Sequence, residues 1–510
     1  MSRSKKSAKN FAYALVGQSV GLIISFISRI VFIKILGSEY LGLNGLFSNI
    51  LTVLSLAELG IGEAITFSLY KPLAEDNKLN CAMLMQFYKK TYIIIGLIIL
   101  IVGVSITPLL PFLIKDMPNI EHINIIYILF VINTSVSYFF SYKRNLIIAD
   151  QNRYIATFYR YLFYFMLNMV QIIFLLINHN YFLFLILQII FTIIENLCIS
   201  IKADKMYPYL KSKNKMKLDN KSKMEIVKNT KAMIMHRIGS VVVNSTDNLL
   251  LSALVGLSVV GIYSNYYLII NALNLVFGQL FNSLTASVGN LIASESRDKQ
   301  YDVFQKINFL NFWIYSFSSI CLLCLFNDFI EIWVGKEYVF SYNIVIIIII
   351  NFYVNGMRKT ILMFKDAAGL FYQDRWKSVI EATINLVVSI LLAMNYGAIG
   401  IFIGTLISSI TTCLWVEPFV LYKYCFGKNI KNYFKEYAKR LMITLCLSFT
   451  MYIMCSLIHF NIYISLILKL LLCVLIVNSV YWVLYHNSSE YKYVKSKIFD
   501  KILKKGYHAK

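Results

Sequence analysis

The chain has 510 residues, 58% hydrophobic and 15% charged, with 49 Lys and Arg against 26 Asp and Glu and a formal net charge of +23. So large an apolar fraction over such a length excludes a soluble domain. The basic excess is spread along the chain instead of forming one stripe, which excludes a nucleic-acid-binding module and makes anionic lipid headgroups the simpler partner.

Apolar stretches of about 20 residues, the length that crosses a hydrocarbon core of about 30 Å, recur throughout. Fourteen spans are expected, near residues 11–33, 42–69, 91–113, 122–141, 155–177, 181–201, 233–254, 257–291, 306–326, 341–364, 377–395, 398–421, 440–459 and 463–485. The first run contains Arg29 and lacks a small-residue cleavage site, so it reads as an uncleaved span and not a signal peptide. Of the basic residues, 43 fall in segments on one side and only Lys34, Lys115 and Lys336 on the other. Three more, Arg29, Arg237 and Lys469, lie inside spans. Basic loops stay in the cytoplasm, so both termini are expected there.

A faint internal repeat is present. Gly37 and Gly42 in GSEYLG correspond to Gly256 and Gly261 in GLSVVG. At offset 222, Asn133, Lys143, Gln151, Arg153 and Tyr154 are echoed by Asn355, Lys365, Gln373, Arg375 and Trp376. Six intervening spans give both halves the same orientation, related by an axis along the membrane normal. The expected organisation is an N-lobe over 1–201, a basic cytoplasmic linker over 202–232, a C-lobe over 233–421, two further spans over 422–485 and an amphipathic cytoplasmic tail over 486–510.

Polar groups are costly in hydrocarbon, so their helical spacing maps an interior. Span 1 offers Gln18, Ser25 and Arg29. Span 2 offers Asn44, Ser48, Thr52, Ser55 and Glu58. Span 5 has Tyr161, Tyr164, Asn168 and Gln171, and span 7 has Arg237, Ser240, Asn244 and Asp247. Span 8 has Ser264, Tyr267, Asn271, Asn274, Gly278 and Asn282, and span 10 has Asn351, Asn355, Arg358 and Lys365. For each residue alone, interhelical hydrogen bonding at about 0.6 kcal/mol competes with a ligand role. Arg29 lies near the outer end of its span, where snorkelling competes as well. Arg237, Arg358 and Lys365 lie near inner ends, where orientation is the competing role. Glu58 and Asp247 lie deeper, and a buried carboxylate serves as an ion pair, a protonatable switch or a cation ligand. Lys469 either contacts a lipid phosphate or snorkels.

Gly17, Gly21 and Ser25, like Gly400, Gly404 and Ser408, form ladders of small residues for close helix packing. Gly60 and Gly62 beside Glu58 mark a bending point, and Pro108 and Pro111 end or kink span 3. The cysteines lie mostly in spans, where they act as small apolar residues. The Cys321-x-x-Cys324 pair lacks a second pair or a His, so no metal site is expected. There is no phosphate loop of the GxxxxGK[ST] type and no HExxH, no nucleophile elbow, and no outside loop longer than about 15 residues. Catalytic residues are not expected.

The segments LAELGIGEAI at 56–65, ILGSEYLGLNGLFSNI at 35–50, MHRIGSVVVNSTDNLLLSALVGLSVVGIYSNY at 235–266 and GAIGIFIGTLIS at 397–408 carry a resemblance. In their order along nearly the whole chain, they resemble the Wzx-type polysaccharide repeat-unit flippases of the multidrug/oligosaccharidyl-lipid/polysaccharide (MOP) exporter superfamily. The resemblance implies an all-α, MATE-like polytopic fold of fourteen transmembrane helices, two pseudo-twofold six-helix lobes plus two C-terminal helices, in the bacterial cytoplasmic membrane. It implies alternating access for a polyprenyl-diphosphate-linked oligosaccharide of O-antigen or capsule type, carried on undecaprenyl diphosphate, with a polymerase and glycosyltransferases as partners. Arg29, Arg237, Arg358 and Lys365 are then candidates for the diphosphate, and Asn244, Asn271, Asn274 and Asn355 for sugar hydroxyls. Glu58 or Asp247 would couple to a proton or sodium gradient, no other cofactor being implied, and Lys469 would sit at the lipid's edge. A lipid II flippase or a drug/cation antiporter of the same superfamily is the alternative, and a membrane glycosyltransferase or polymerase the enzyme alternative.

Overall fold

The computed structural model describes residues 3–211, Met224 and 245–496, except Leu59, Asp116 and Phe371. Among them the secondary structure is helical throughout, as hydrocarbon requires: backbone N–H and C=O groups that cannot reach water are satisfied within each segment. The helices are α1 (Arg3–Leu54), α2 (Ile61–Ala74), α3 (Lys78–Ile106), α4 (Ile123–Ala149), α5 (Arg153–Asn178) and α6 (Tyr181–Met206). After the linker come α7 (Leu257–Ser294), α8 (Arg297–Val334), α9 (Tyr342–Met357), α10 (Lys359–Ala367), α11 (Lys377–Tyr396) and α12 (Ala398–Ser408). The last are α13 (Leu414–Leu421), α14 (Lys431–Ser456), α15 (Ile462–Leu472), α16 (Asn478–Tyr485) and α17 (Ser489–Val494).

Twelve helices among the described residues are long and apolar enough to cross a membrane. The difference from fourteen has two local origins. Expected spans 1 and 2 count as one apolar stretch, because α1 is two helices that meet at a kink, Gly37, whose φ of 83° and ψ of −176° are not helical. Expected span 7 begins outside the described residues.

Breaks fall where the sequence places them. α1 stops at Leu54, a 3₁₀ turn carries Ser55–Glu58, and Gly60 takes the left-handed conformation (φ 75°) before α2 begins. A residue with a Cβ is disfavoured there. α3 ends at Ile106, just before Pro108, which lies in the 3₁₀ turn Thr107–Leu109; one short turn, Leu110–Leu113, follows. Asn77, Asn180, Asn461 and Ser488 cap α3, α6, α15 and α17 by accepting backbone N–H groups, which meets part of the need of four orphan donors at each helix start.

The chain divides into two compact units, Met1–Ser264 and Asn265–Lys510, with the division inside α7. In the first, α4 packs between α3 and α6, and α1 packs on α5. Ser135 donates to the Gly96 carbonyl (2.7 Å) and Tyr127 to that of Gly103 (3.0 Å), joining α4 to α3 at two glycines. In the second, α8 is central, touching α9, α14, α15 and α17. Of its most apolar window 61% is buried, against 17% for the Ile462–Tyr485 segment, so the last helices present most of their surface outward. Gly400 and Gly404 let α12 lie on α11, where a Cβ would meet the Leu392 carbonyl oxygen or Ser389 Oγ at 2.3 or 2.2 Å. Tail residues from 497 lie outside the described residues, as does most of the 202–232 linker.

Candidate functional site

In the first unit, the polar faces expected on spans 1 and 5 meet. A Cβ on Gly17 or Gly21 would collide with the Tyr161 ring, so these glycines admit the tyrosine and draw α1 onto α5. One turn on, Ser25 donates to the Gly21 carbonyl and lies 2.7 Å from the Tyr164 hydroxyl. A further turn on, Arg29 Nη1 donates to Ser264 Oγ at 2.7 Å, and Ser264 passes a hydrogen bond to the Gly261 carbonyl. Arg29 is partly buried, and among the described residues no carboxylate pairs with it. Asn168 and Gln171, in the same stripe, are structural: they are buried and donate to the Tyr164 and Phe184 carbonyls.

Glu58 sits at the break between α1 and α2, inside a set of phenols. Tyr92 donates to its Oε1 and Tyr138 to its Oε2 at 3.4 Å, while Tyr88 donates to Tyr92 and to the Gly62 carbonyl. Gly62 makes room, since a Cβ there would sit 2.2 Å from the Tyr92 hydroxyl and 2.4 Å from Glu58 Oε1. Among the described residues no Lys or Arg pairs with Glu58. By contrast Glu195 is paired with Arg144 (2.5 Å), and Lys143 with Asp204 (2.7 Å). Asp247 is partly buried and is not without a partner.

In the second unit, Arg358 binds Glu417 through two hydrogen bonds (Nε to Oε2 at 3.0 Å, Nη2 to Oε1 at 2.8 Å) and lies 3.7 Å from Glu381. Lys377 joins the same Glu417 carboxylate, and Arg358 also donates to Asn355 (2.9 Å). The cluster balances two cations against two carboxylates, with Glu417 wholly buried. Lys365, the repeat partner of Lys143, pairs with Asp374, both buried. Lys469 pairs with Asp328 at 2.6 Å.

Asn271 is exposed on α7, and Asn274 accepts from Tyr315 at 3.3 Å. Together with Tyr267, Gly278 and Asn282 they follow one line along the helix, and Tyr267 and Asn282 are exposed too. Arg237 and Asn244 lie outside the described residues. Glu417, Lys377, Tyr92 and Tyr138 were not picked out from sequence. Glu417 carried a signal, being the single carboxylate in the apolar run 398–421.

No family model matches the sequence, and no curated protein matches it. Solved structures do. The lipid II flippase MurJ in an inward closed conformation superposes with a TM-score of 0.65 at 17% identity, covering 92% of this chain and 98% of that one. A mutant of the Vibrio cholerae MATE transporter VcmN gives 0.57 at 15% identity, covering 84% and 99%. A multidrug-resistance MATE transporter of the MOP superfamily, inward-facing, gives 0.55 at 13%, covering 80% and 98%. The chain has the fold seen in MurJ and in these MATE structures. With its twelve membrane-capable helices, that makes it a multi-pass membrane protein whose structural neighbours are transporters.

Proposed function

We propose that the chain is a flippase that moves polyprenyl-diphosphate-linked oligosaccharide repeat units from the inner to the outer leaflet of the bacterial cytoplasmic membrane by alternating access, both termini being cytoplasmic. The observation that carries this reading is Arg29. It is a guanidinium inside an apolar helix, held by one hydroxyl and unpaired with any described carboxylate. An unpaired charge in hydrocarbon is expensive, and a diphosphate oxygen is the partner that would complete it with charge-assisted hydrogen bonds. Arg237 and, in a state where their carboxylates let go, Arg358 and Lys365 are further diphosphate ligands. The line of Asn271 and Asn274 on α7, with Asn244 and Asn355, suits sugar hydroxyls. Glu58, without a described cation, is the group through which a proton or sodium gradient would act, with Asp247 the second candidate.

The test is leaflet exchange of a labelled polyprenyl-diphosphate oligosaccharide in proteoliposomes. Wild-type protein is expected to move it, Arg29→Ala to slow movement at least about tenfold, and Arg29→Lys to retain part, since a lysine supplies charge without the bidentate fork. No movement by the wild-type protein would overturn the reading. A second reading, lipid II transport, is favoured by the extent of the MurJ likeness. Rescue of a strain lacking lipid II flipping, with no rescue of one lacking repeat-unit flipping, would select it. Polymerase and glycosyltransferase partners follow only from the first reading.

A further inference from the structure

Four of the nine cysteines converge within the second unit, from three helices that are far apart in sequence. Cys321 and Cys324 lie on α8, Cys455 on α14, and Cys473 at the end of α15. The Sγ atoms of Cys324, Cys455 and Cys473 all lie within 4.8 Å of one another, and all three residues are buried. Cys321 reaches the same point through a thiol contact with Cys473. Cys473 opens a π-helical turn, Cys473–Val477, an irregularity that frequently accompanies functional sites.

From this geometry we infer that Cys324, Cys455 and Cys473 form a three-thiolate binding site for a thiophilic d¹⁰ cation of the zinc type, with Cys321 beside it as a neutral thiol. The proposal is independent of what the chain transports. Thiolate sulfur selects such cations over oxygen-loving ones. At a zinc–sulfur distance of about 2.3 Å, sulfurs of a tetrahedral site stand about 3.8 Å apart, so three sulfurs within 4.8 Å of one another need to close by at most about 1 Å. The charge balance favours a divalent ion: three thiols release three protons to water as the cation enters, leaving a net charge of −1. A monovalent ion would leave −2 in a low-dielectric surrounding. The neighbouring turn carries an ion pair. Lys469 and Asp328, paired at 2.6 Å, stand four residues from Cys473 and Cys324 on the same two helices. Lys469 thus lies one turn from Cys473, on the same helical stretch. The arrangement would clamp α14 and α15 onto α8, the central helix of the unit.

The experiment is elemental analysis of the full chain purified in detergent without chelator, followed by removal of metal and titration with cobalt(II). Close to one zinc per chain and an intense sulfur-to-cobalt charge-transfer band are expected. Cys473→Ser and, separately, Cys455→Ser should each lower both at least about tenfold. Cys446→Ser, which removes an exposed thiol from α14 outside the cluster, should leave both unchanged. Size-exclusion profiles establish that each variant is folded, and the wild-type titration stands whether or not they are. Absence of zinc together with absence of the cobalt band in wild-type protein overturns the proposal. So does a disulfide among these residues on non-reducing peptide mapping, and so does equal metal uptake by folded Cys473→Ser protein.

Discussion

Gly42 faces the backbone of Leu257 so closely that a Cβ on the glycine would stand 2.1 Å from the Leu257 carbonyl oxygen. The contact is reciprocated: a Cβ on Gly261 would stand 2.2 Å from the carbonyl oxygen of Ser38. Residues 38 and 42 correspond to 257 and 261 at one offset, so the two copies of the repeated glycine motif touch each other symmetrically. Their leading glycines, Gly37 and Gly256, both have positive φ (83° and 142°).

Gly42→Ala and Gly261→Ala should therefore destabilise the protein, each by about 1–3 kcal/mol, the usual cost of overpacking, because the obstacle is backbone and cannot swing aside. Gly278→Ala has nothing within 4 Å to meet and should be close to neutral. Thermal unfolding in detergent checks the difference.

The Arg358 and Glu417 pair makes a second expectation. Glu417→Ala leaves Arg358 and Lys377 buried without their shared carboxylate, and breaking such a pair costs about 3–5 kcal/mol. The double change Arg358→Met with Glu417→Met should recover part of that loss, since one of the stranded cations goes with it. A double-mutant cycle on thermal stability reads the coupling directly.

Lys469→Ala should loosen α15 from α8 by leaving Asp328 unpaired between them. Limited proteolysis of the loop around residues 457–461 is the measurement, with faster cleavage expected for Lys469→Ala than for the paired change that also replaces Asp328 by Ala.

For Glu58, Glu58→Gln should remove the dependence of transport on an imposed ion gradient while leaving protein stability nearly unchanged, because the amide oxygen still accepts from Tyr92 while the amide nitrogen donates to the Tyr138 phenol oxygen. Gly62→Ala should give the same transport phenotype by displacing the Tyr92 hydroxyl from the carboxylate. Uptake into proteoliposomes with and without a gradient distinguishes the outcomes.

The helices were legible because span length and apolarity are local properties, and so were the breaks at Gly60 and Pro108, where single residues dictate the backbone. The glycine repeat was legible too, through its spacing. Pairings were not. Arg358 finds Glu417 59 residues away, and Lys469 finds Asp328 141 residues away, and no periodicity along one helix reports which neighbour a side chain will face. Arg29, Arg358 and Lys365 read alike as cations near span ends, and only tertiary packing separates Arg29 from the other two. The sulfur cluster was hidden for the same reason: Cys321 and Cys324 form a visible pair, while Cys455 and Cys473 complete it from other helices.

The turn at Ser55–Glu58 ties a joint to a latch. Rotation about residues 55–60 carries Glu58 relative to α3 and α4, which hold Tyr92 and Tyr138, so the bend of the second span and the hydrogen bonds to its carboxylate cannot change separately. Any change in the hydrogen bonds that Tyr92 and Tyr138 donate to Glu58 therefore also changes the angle of α2, and a lever of fourteen residues turns on a single carboxylate.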